Sequence, residues 1–260
     1  MLESLSIGAT GMQAQQLQVD TIANNLANVN TTGFKKGRIV FADLVGRASL
    51  QDGAGARDLL AAAQGRAAGV GLASATRVFD AGDLKRTDAP MDLAIQGEGF
   101  IELALPDGSR AYSRGGTLKV NADGQLALLD GTPFKPGIQV PDNAERLVVS
   151  AAGRLQATVP GQAGLQDLGQ LDLVRFTSPS GLLAQGGGVY RSTEASGEAI
   201  AGRPGEDGMG VLAQGFLEAS NVKLVEEMVG LMVAQRAYEA SAKVVQAADE
   251  MLGMVNGLRR

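Results

Sequence analysis

Few side chains in this 260-residue chain could make or break bonds, and most of those are carboxylates. Asp80, Asp83 and Asp88 fall close together, and Glu226 adjoins Glu227. Two carboxylates facing one another across a cleft could act as general acid and base, as in a glycosidase. Neighbours in sequence diverge on a helix, so Glu226 and Glu227 do not form such a pair. The three aspartates lie in a turn-rich stretch and read as solvated loop charges. Histidine and cysteine are both absent. With them go the Ser-His-Asp triad, a thiolate nucleophile, disulfides and every Cys/His zinc site. There is no G-x-x-x-x-G-K-[ST] loop and no D-x-D-x-D-G loop, and Gly97-Glu98-Gly99-Phe100 reads as a tight turn before a strand. The expectation is a chain that is not an enzyme, with no catalytic residue, no cofactor and no metal.

Composition points the same way. Aromatics make up 4% of the chain, with no Trp, too few for a sugar-stacking platform and thin for one compact core. The formal charge of −5 argues against a nucleic-acid surface, which needs a basic field. No apolar run approaches the ~18 residues of a membrane span. The opening MLESLSIGATGMQ lacks a basic stretch followed by a continuous apolar run. The expectation is therefore a cytoplasmic location, or export without a cleaved leader.

Two kinds of element account for the rest. Leu2, Leu5, Ala9, Met12, Gln16, Val19, Ala23 and Leu26 recur at alternating spacings of three and four, which predicts a helix over 1–29. From Ser4 to Phe34 the one charged residue is Asp20, and Gln13, Gln15, Gln18, Asn24, Asn25 and Asn28 line the other side. Amides hydrogen-bond sideways without the desolvation cost of an ion, so this helix looks built to be surrounded by protein. Gly8 and Gly11 cost helix propensity and suit close approach of a neighbour. Gly33 is a candidate left-handed cap. Leu217, Asn221, Leu224, Met228, Leu231, Gln235, Tyr238, Ala242, Val245, Asp249 and Leu252 give a second heptad stripe. It predicts a helix over 218–258, capped by Ser220 or Asn221 and ~58 Å long at about 1.5 Å per residue. Between them the period becomes two. Short runs at 93–95, 100–105, 117–120, 125–129, 146–150, 154–159 and 170–176 predict strands, separated by turns such as Asp123-Gly124 and Asp130-Gly131. Residues 74–80 suggest another strand, while 186–190 and 195–210 read as loop.

The plan is a β domain inserted between two terminal helices that must meet in space. The expected parts are a helix over 1–33, a connecting segment over 34–75, a β-rich domain over 76–215 and a helix over 216–260.

Both ends carry motifs of a known family. ANNLANVNTTGFK (23–35) resembles the N-terminal motif of bacterial flagellar rod and hook proteins, and GFLEASNVKLVEEMVGLMVAQRAYEASAKVVQAADEML (215–252) resembles their C-terminal motif. DLAIQGEGFIEL (92–103) and AYSRGGTLKVNADGQL (111–126) are similar to the family's β domain. The distal-rod members are the nearest, with a proximal-rod or hook-like relative as the alternative. The resemblance implies a mainly β central domain flanked by long N- and C-terminal α-helices that pair as a coiled coil. The helices would form the inner wall of a helical homopolymer spanning the periplasm as a drive shaft. It implies export through the flagellar type III apparatus and assembly beneath a rod cap. Adjacent proximal rod proteins, hook-side axial proteins and the P- and L-ring bushing would be the neighbours, and nucleic acid would not. The expected assembly residues are Leu5, Met12, Val19 and Leu26 in the first helix and Leu224, Met228, Leu231, Tyr238, Val245 and Leu252 in the second. Asn24, Asn25 and Asn28 are expected to make lateral contacts. The segment after Phe41-Ala42-Asp43-Leu44, which in distal-rod proteins is thought to straighten the shaft, here reads VGRASLQDGAGARD and departs from the family insert. Phe41, Leu44, Arg47 and Gln51 are the candidates in it.

Overall fold

The computed structural model describes residues 2–43, 69–160 and 164–257. Among them are two α-helices, and the remainder is mainly β. The chain divides into two compact units. One comprises the described parts of Met1–Ala27, Gly37–Thr76 and Lys223–Arg260, and the other Asn28–Lys36 and Arg77–Val222.

In the helical unit, α1 (Leu2–Ala27) packs against α2 (Leu224–Gly257), beside a ribbon of β1 (Gly37–Asp43) and β2 (Val70–Arg77). Gly8 lies against Val245, Gly11 against Ser241, Gly230 against Ile22 and Asn25 against Glu227, so the helices run antiparallel. Small side chains make the contact. Gly8, Ala14, Ala234 and Ala248 are buried, and Gly230, Ala237 and Ser241 are half-buried. A Cβ on Gly8 would stand 2.7 Å from Val245 Cγ2, so its missing side chain is what lets the helices approach there. The gain from that contact offsets the helix-propensity cost of glycine.

Helix α2 begins at Leu224, later than its heptad stripe suggests. The reason is local: Asn221, a candidate cap, spends its side chain elsewhere. Its Oδ1 accepts from Lys36 N at 2.8 Å and its Nδ2 donates to Val78 O at 2.8 Å. Gly33 is left-handed (φ +69°), but it sits in a turn beyond the end of α1, not at the helix terminus.

The β unit holds the remaining strands. A six-stranded sheet runs in the order β13 (Leu183–Gly186), β14 (Val189–Arg191), β6 (Arg110–Ser113), β5 (Phe100–Ala104), β12 (Leu173–Arg175) and β15 (Ile200–Gly202). A four-stranded sheet runs β16 (Val211–Gln214), β4 (Asp92–Gln96), β7 (Gly115–Val120) and β8 (Leu126–Leu128). A three-stranded sheet joins β11 (Leu165–Gln170), β10 (Arg154–Thr158) and β9 (Arg146–Val149). A two-stranded ribbon pairs β17 (Phe216–Glu218) with β3 (Leu84–Arg86). The paired strands whose register is resolved in this unit are all antiparallel.

Alternation along the six-stranded sheet sorts its side chains into two clusters. Ile101, Leu103, Ala111, Leu173 and Val189 join the main aliphatic core with Leu93, Ile95, Leu126 and Leu155. Their neighbours Phe100, Tyr112, Val174 and Tyr190 form a second cluster with Phe176 and Leu182, against which Phe79 packs. The rings of this cluster meet edge to face, Tyr112 on Phe176 at 4.7 Å and Phe79 on Tyr190 at 4.9 Å. Five of the chain's ten aromatic residues, seven Phe and three Tyr, are thus concentrated on one sheet face. The main core is aliphatic apart from Phe134, which is why so few aromatics suffice.

The turn at Gly97-Glu98-Gly99 is as its residues suggest. Gly97 and Gly99 have φ of +114° and +133°, and a Cβ on Gly97 would reach 2.8 Å from Gly210 Cα. The stretch 186–190, read as loop, instead closes the β13–β14 hairpin, with Gly186, Gly187 and Gly188 all at positive φ.

Replacing Gly8 with Val tests the helix contact. It should cost ~1–3 kcal/mol of overpacking between the helices. Amide hydrogen exchange should quicken across α1 while the strands of the β unit keep their protection.

Candidate functional site

Two features stand out, one in each unit. The first is a face of α2. Val225, Met228, Val229, Met232 and Val233 are exposed, as are Val244, Met251 and Met254 further along. By helical periodicity Val225, Met228, Val229, Met232 and Met254 lie on the side away from the small residues that meet α1, while Val233, Val244 and Met251 flank that contact. A row of large apolar side chains left in water on a long helix marks an interaction surface.

Of the expected assembly residues, Leu231 and Val245 in α2 are half-buried, as are Leu5, Met12, Val19 and Leu26 in α1. Leu224, Met228 and Tyr238 are 48%, 50% and 43% exposed; Leu224 and Met228 lie on the open side of α2, and Tyr238 stands one heptad from both Leu231 and Val245, at the rim of the α1 contact. The side chain of Leu252 lies outside the described residues, as do Leu44, Arg47 and Gln51, while Phe41 is half-buried in β1. Asn24 is exposed. Asn28 accepts from Thr31 Oγ1 at 3.1 Å.

Asn25, expected to reach sideways, is buried and bonded within its own chain. Its Nδ2 donates to Gly37 O at 3.0 Å and to Glu227 Oε2 at 3.1 Å, and its Oδ1 accepts from Gly37 N at 2.8 Å. It fixes the end of α1 to the start of β1 and to the first turn of α2.

The second feature is a buried charge cluster in the β unit. Glu218, at the end of β17, is 4% exposed, and two cations flank it, Lys35 at 0% and Arg114 at 5%. Lys35 Nζ lies 2.7 Å from Glu218 Oε1, and Arg114 Nε lies 3.0 Å from Oε2. Gly82 N donates to Oε1 at 2.9 Å. The cations' remaining hydrogens find carbonyls: Lys35 Nζ bonds Asp80 O at 2.7 Å, and Arg114 Nη1 bonds Gly99 O at 2.9 Å. Backbone bonds close the same region, Gly33 N to Glu218 O at 2.8 Å and Val78 N to Lys36 O at 3.0 Å. Arg77 donates to Lys35 O at 2.7 Å and lies over the Phe34 ring at 5.0 Å.

Burial alone would push the Glu218 carboxyl up, but Arg114 and then Lys35, each by charge and hydrogen bond, outweigh it and hold the carboxyl below the ordinary glutamate value. For Lys35 burial prevails, lowering its ammonium although Glu218 supports the charge. Burial also pushes Tyr190, in the adjoining aromatic cluster, up to about 12.

Asp80, Asp83 and Asp88 are exposed, with Asp88 paired to Arg86 at 2.6 Å. Glu226 and Glu227 diverge, the first to Lys223 and the second to Asn25. Among the described residues no group of three or more acidic side chains converges as metal ligands would. The sequence reading missed Lys35, Arg114 and Glu218. Its two terminal motifs contain Lys35 and Glu218, but nothing in either points to the other.

A β-rich unit inserted in sequence between two paired terminal helices, one of them with an open apolar face, has the architecture of a structural protein that assembles. Residues 5–35 match the family described as "Flagella basal body rod protein", 94–157 the "Flagellar hook protein FlgE/F/G D1 domain" and 213–258 the "Flagellar basal body rod FlgEFG protein C-terminal". The chain is 42% identical over 264 residues to the flagellar basal-body rod protein FlgG of Borreliella burgdorferi, covering 100% of both. It is 41% identical to that of Caulobacter vibrioides, over 99% of this chain and 100% of the relative. The FlgG of Bacillus subtilis is 35% identical over the full length of both. The chain belongs to the FlgG family of flagellar basal-body rod proteins and is a structural subunit of that rod.

Removing the carboxylate should destabilise the β unit strongly. Glu218→Gln leaves two buried cations short of a counter-charge and should cost ~3–5 kcal/mol in urea unfolding. Near-UV circular dichroism of Tyr112 and Tyr190 reports the transition. A carboxyl depressed in the folded state contributes stability that is present above its ordinary value and lost as pH falls through the lower folded value. The parent should therefore lose stability in that acidic window, and Glu218→Gln should show a shallower loss there.

Proposed function

We propose that copies of this chain polymerise into the distal rod and that the open face of α2 is the surface on which a neighbouring copy docks. The observation that carries this is the division of α2 into two faces. Small residues, with Val245, meet the partner helix of the same chain, and Val225, Met228, Val229 and Met232 are left for something outside it. An interaction repeated head to tail without closing builds an open helix of subunits, as a shaft requires. The FlgG names of the full-length relatives favour a distal-rod position over a proximal or hook-like one.

On this reading α1 and α2 pair in coiled-coil fashion as the inner layer, and the β unit forms the outer layer. Torque passes along the inner layer from the motor side to the hook. Proximal rod proteins adjoin one end, hook-side axial proteins the other, and the ring proteins surround the shaft. The chain leaves the cell through the flagellar export apparatus and is placed beneath a cap. The near-absence of charge on α1 suits a helix enclosed by other protein in the finished shaft. The work is mechanical, and the family supports no catalytic role.

Met228→Glu combined with Met232→Glu puts two charges on the open face without touching the α1 contact. The purified variant should melt within ~0.5 kcal/mol of the parent, as exposed substitutions do. Expressed as the sole copy in its bacterium, it should yield basal bodies without a distal rod by electron microscopy, and no swimming. Full-length rods from the double variant would remove this face from the assembly.

A further inference from the structure

The chain crosses between its two units at four places, 27/28, 36/37, 76/77 and 222/223. On the β side, each crossing leads into one of three segments. The loop 28–36 carries two crossings, the stretch from Arg77 carries the third, and the exit through 216–222 carries the fourth. All three segments are tied to one carboxylate. Lys35 comes from the loop, and Gly82 N comes from the stretch after Arg77, both bonded to Glu218 on the exit segment. Asn221 repeats the pattern one turn of chain later, bonded to Lys36 N and to Val78 O. Arg114 then anchors the carboxylate to the sheet, through Gly99 O and Ile95 O. Lys35 and Glu218 stand 183 residues apart in sequence, so no local folding requirement brings them together.

We propose that the Glu218 cluster is a mechanical clamp. It binds every chain crossing on the β side to one buried point, so that load entering through any one crossing is shared by the others and by the β unit's sheet. Without it, tension on the exit segment would peel β17 from β3, a pairing of three residues. With it, the same tension must first separate a carboxylate from two cations inside the protein, where charge-assisted bonds are strong and water does not replace them at once. That the protein bears load at all follows from the rod reading, whereas the geometry of the clamp and its response to force do not depend on that reading.

The test is force spectroscopy on the full chain. Since the chain has no cysteine, Asn30→Cys and Lys223→Cys give two unique handles on exposed positions either side of the clamp. Glu218→Gln should raise the rate of the first rupture at fixed force ~10-fold or more, because stripping one partner from a buried charged group is among the costlier losses. Leu155→Ala, in the main core and fully buried, is the control. It should lower the melting temperature comparably yet leave the first-rupture rate within about twofold, since it shares no partner with the clamp. Should Glu218→Gln not fold, Asn221→Ser, which loses only the outer bonds, is read against the same control and should also quicken the first rupture. The proposal is overturned if the Glu218 or Asn221 variant ruptures like the parent, or if Leu155→Ala quickens the first rupture as much as they do. Either result would make the cluster a contributor to stability and nothing more.

Discussion

A carboxylate in the interior of a protein must be paid for, and Glu218 is held there by two cations at 2.7 and 3.0 Å. Such a cluster is a poor way to gain raw stability, since well-packed apolar residues of similar volume often do as well or better. What it offers is direction and address. Lys35, Arg114 and Glu218 fix one arrangement of three chain segments because any other leaves a charge unpaired in low dielectric. Main-chain carbonyls at Asp80, Ile95 and Gly99 absorb the excess positive charge, so the cluster also fixes the backbone around it. At the ends of the inserted β unit the cluster acts together with the backbone bonds Gly33 N to Glu218 O and Val78 N to Lys36 O and with the Asn221 side chain.

The two helices show the complementary economy. Their mutual contact uses glycine, alanine and serine, which bring the axes close but bury little apolar area per residue. Val225, Met228, Val229 and Met232 of α2 are kept out of it, whereas Val245 packs on Gly8. A contact of this kind gives a defined pair in the single chain while leaving the apolar side chains of the open face exposed, which is what the proposed docking of a neighbouring copy would use. Methionine suits that use, since its unbranched side chain adapts to neighbours of several shapes.

Periodicity made the architecture legible. Period-two runs located most strands of the β unit, and heptad spacing located both helices. Neither could say which neighbour a stripe meets. Leu224 and Met228 satisfy the heptad pattern yet lie on the open side of α2, because a stripe wide enough to serve two partners has no unique seam. The α1 contact runs through Gly8, Gly230 and Ala234, whose side chains leave almost no hydropathic signal. The start of α2 was misplaced because Asn221 looks like a helix cap until its long-range partners are known. Glycines at 186–188 read as loop, although their positive φ values are what a tight hairpin needs. The charge cluster was invisible for a simpler reason. A lysine, an arginine and a glutamate are ordinary surface residues, and only the fold brings them together. The family resemblance, resting on the two terminal motifs, reached the function without reaching this site.

The two units also differ in how they tie their ends. In the helical unit the hub is Asn25, a neutral amide whose donors and acceptor are all engaged, against Gly37 and the Glu227 carboxylate. In the β unit the hub is ionic. The difference follows from how far each carboxylate is taken out of water. Glu227 is half-buried and meets the Asn25 amide, whereas Glu218 is 4% exposed and is flanked by two cations. A carboxylate that keeps contact with water needs only a dipole beside it, but one removed from water must be paired and hydrogen-bonded or it would rather take up a proton. Each hub therefore carries the counter-groups that its own burial demands.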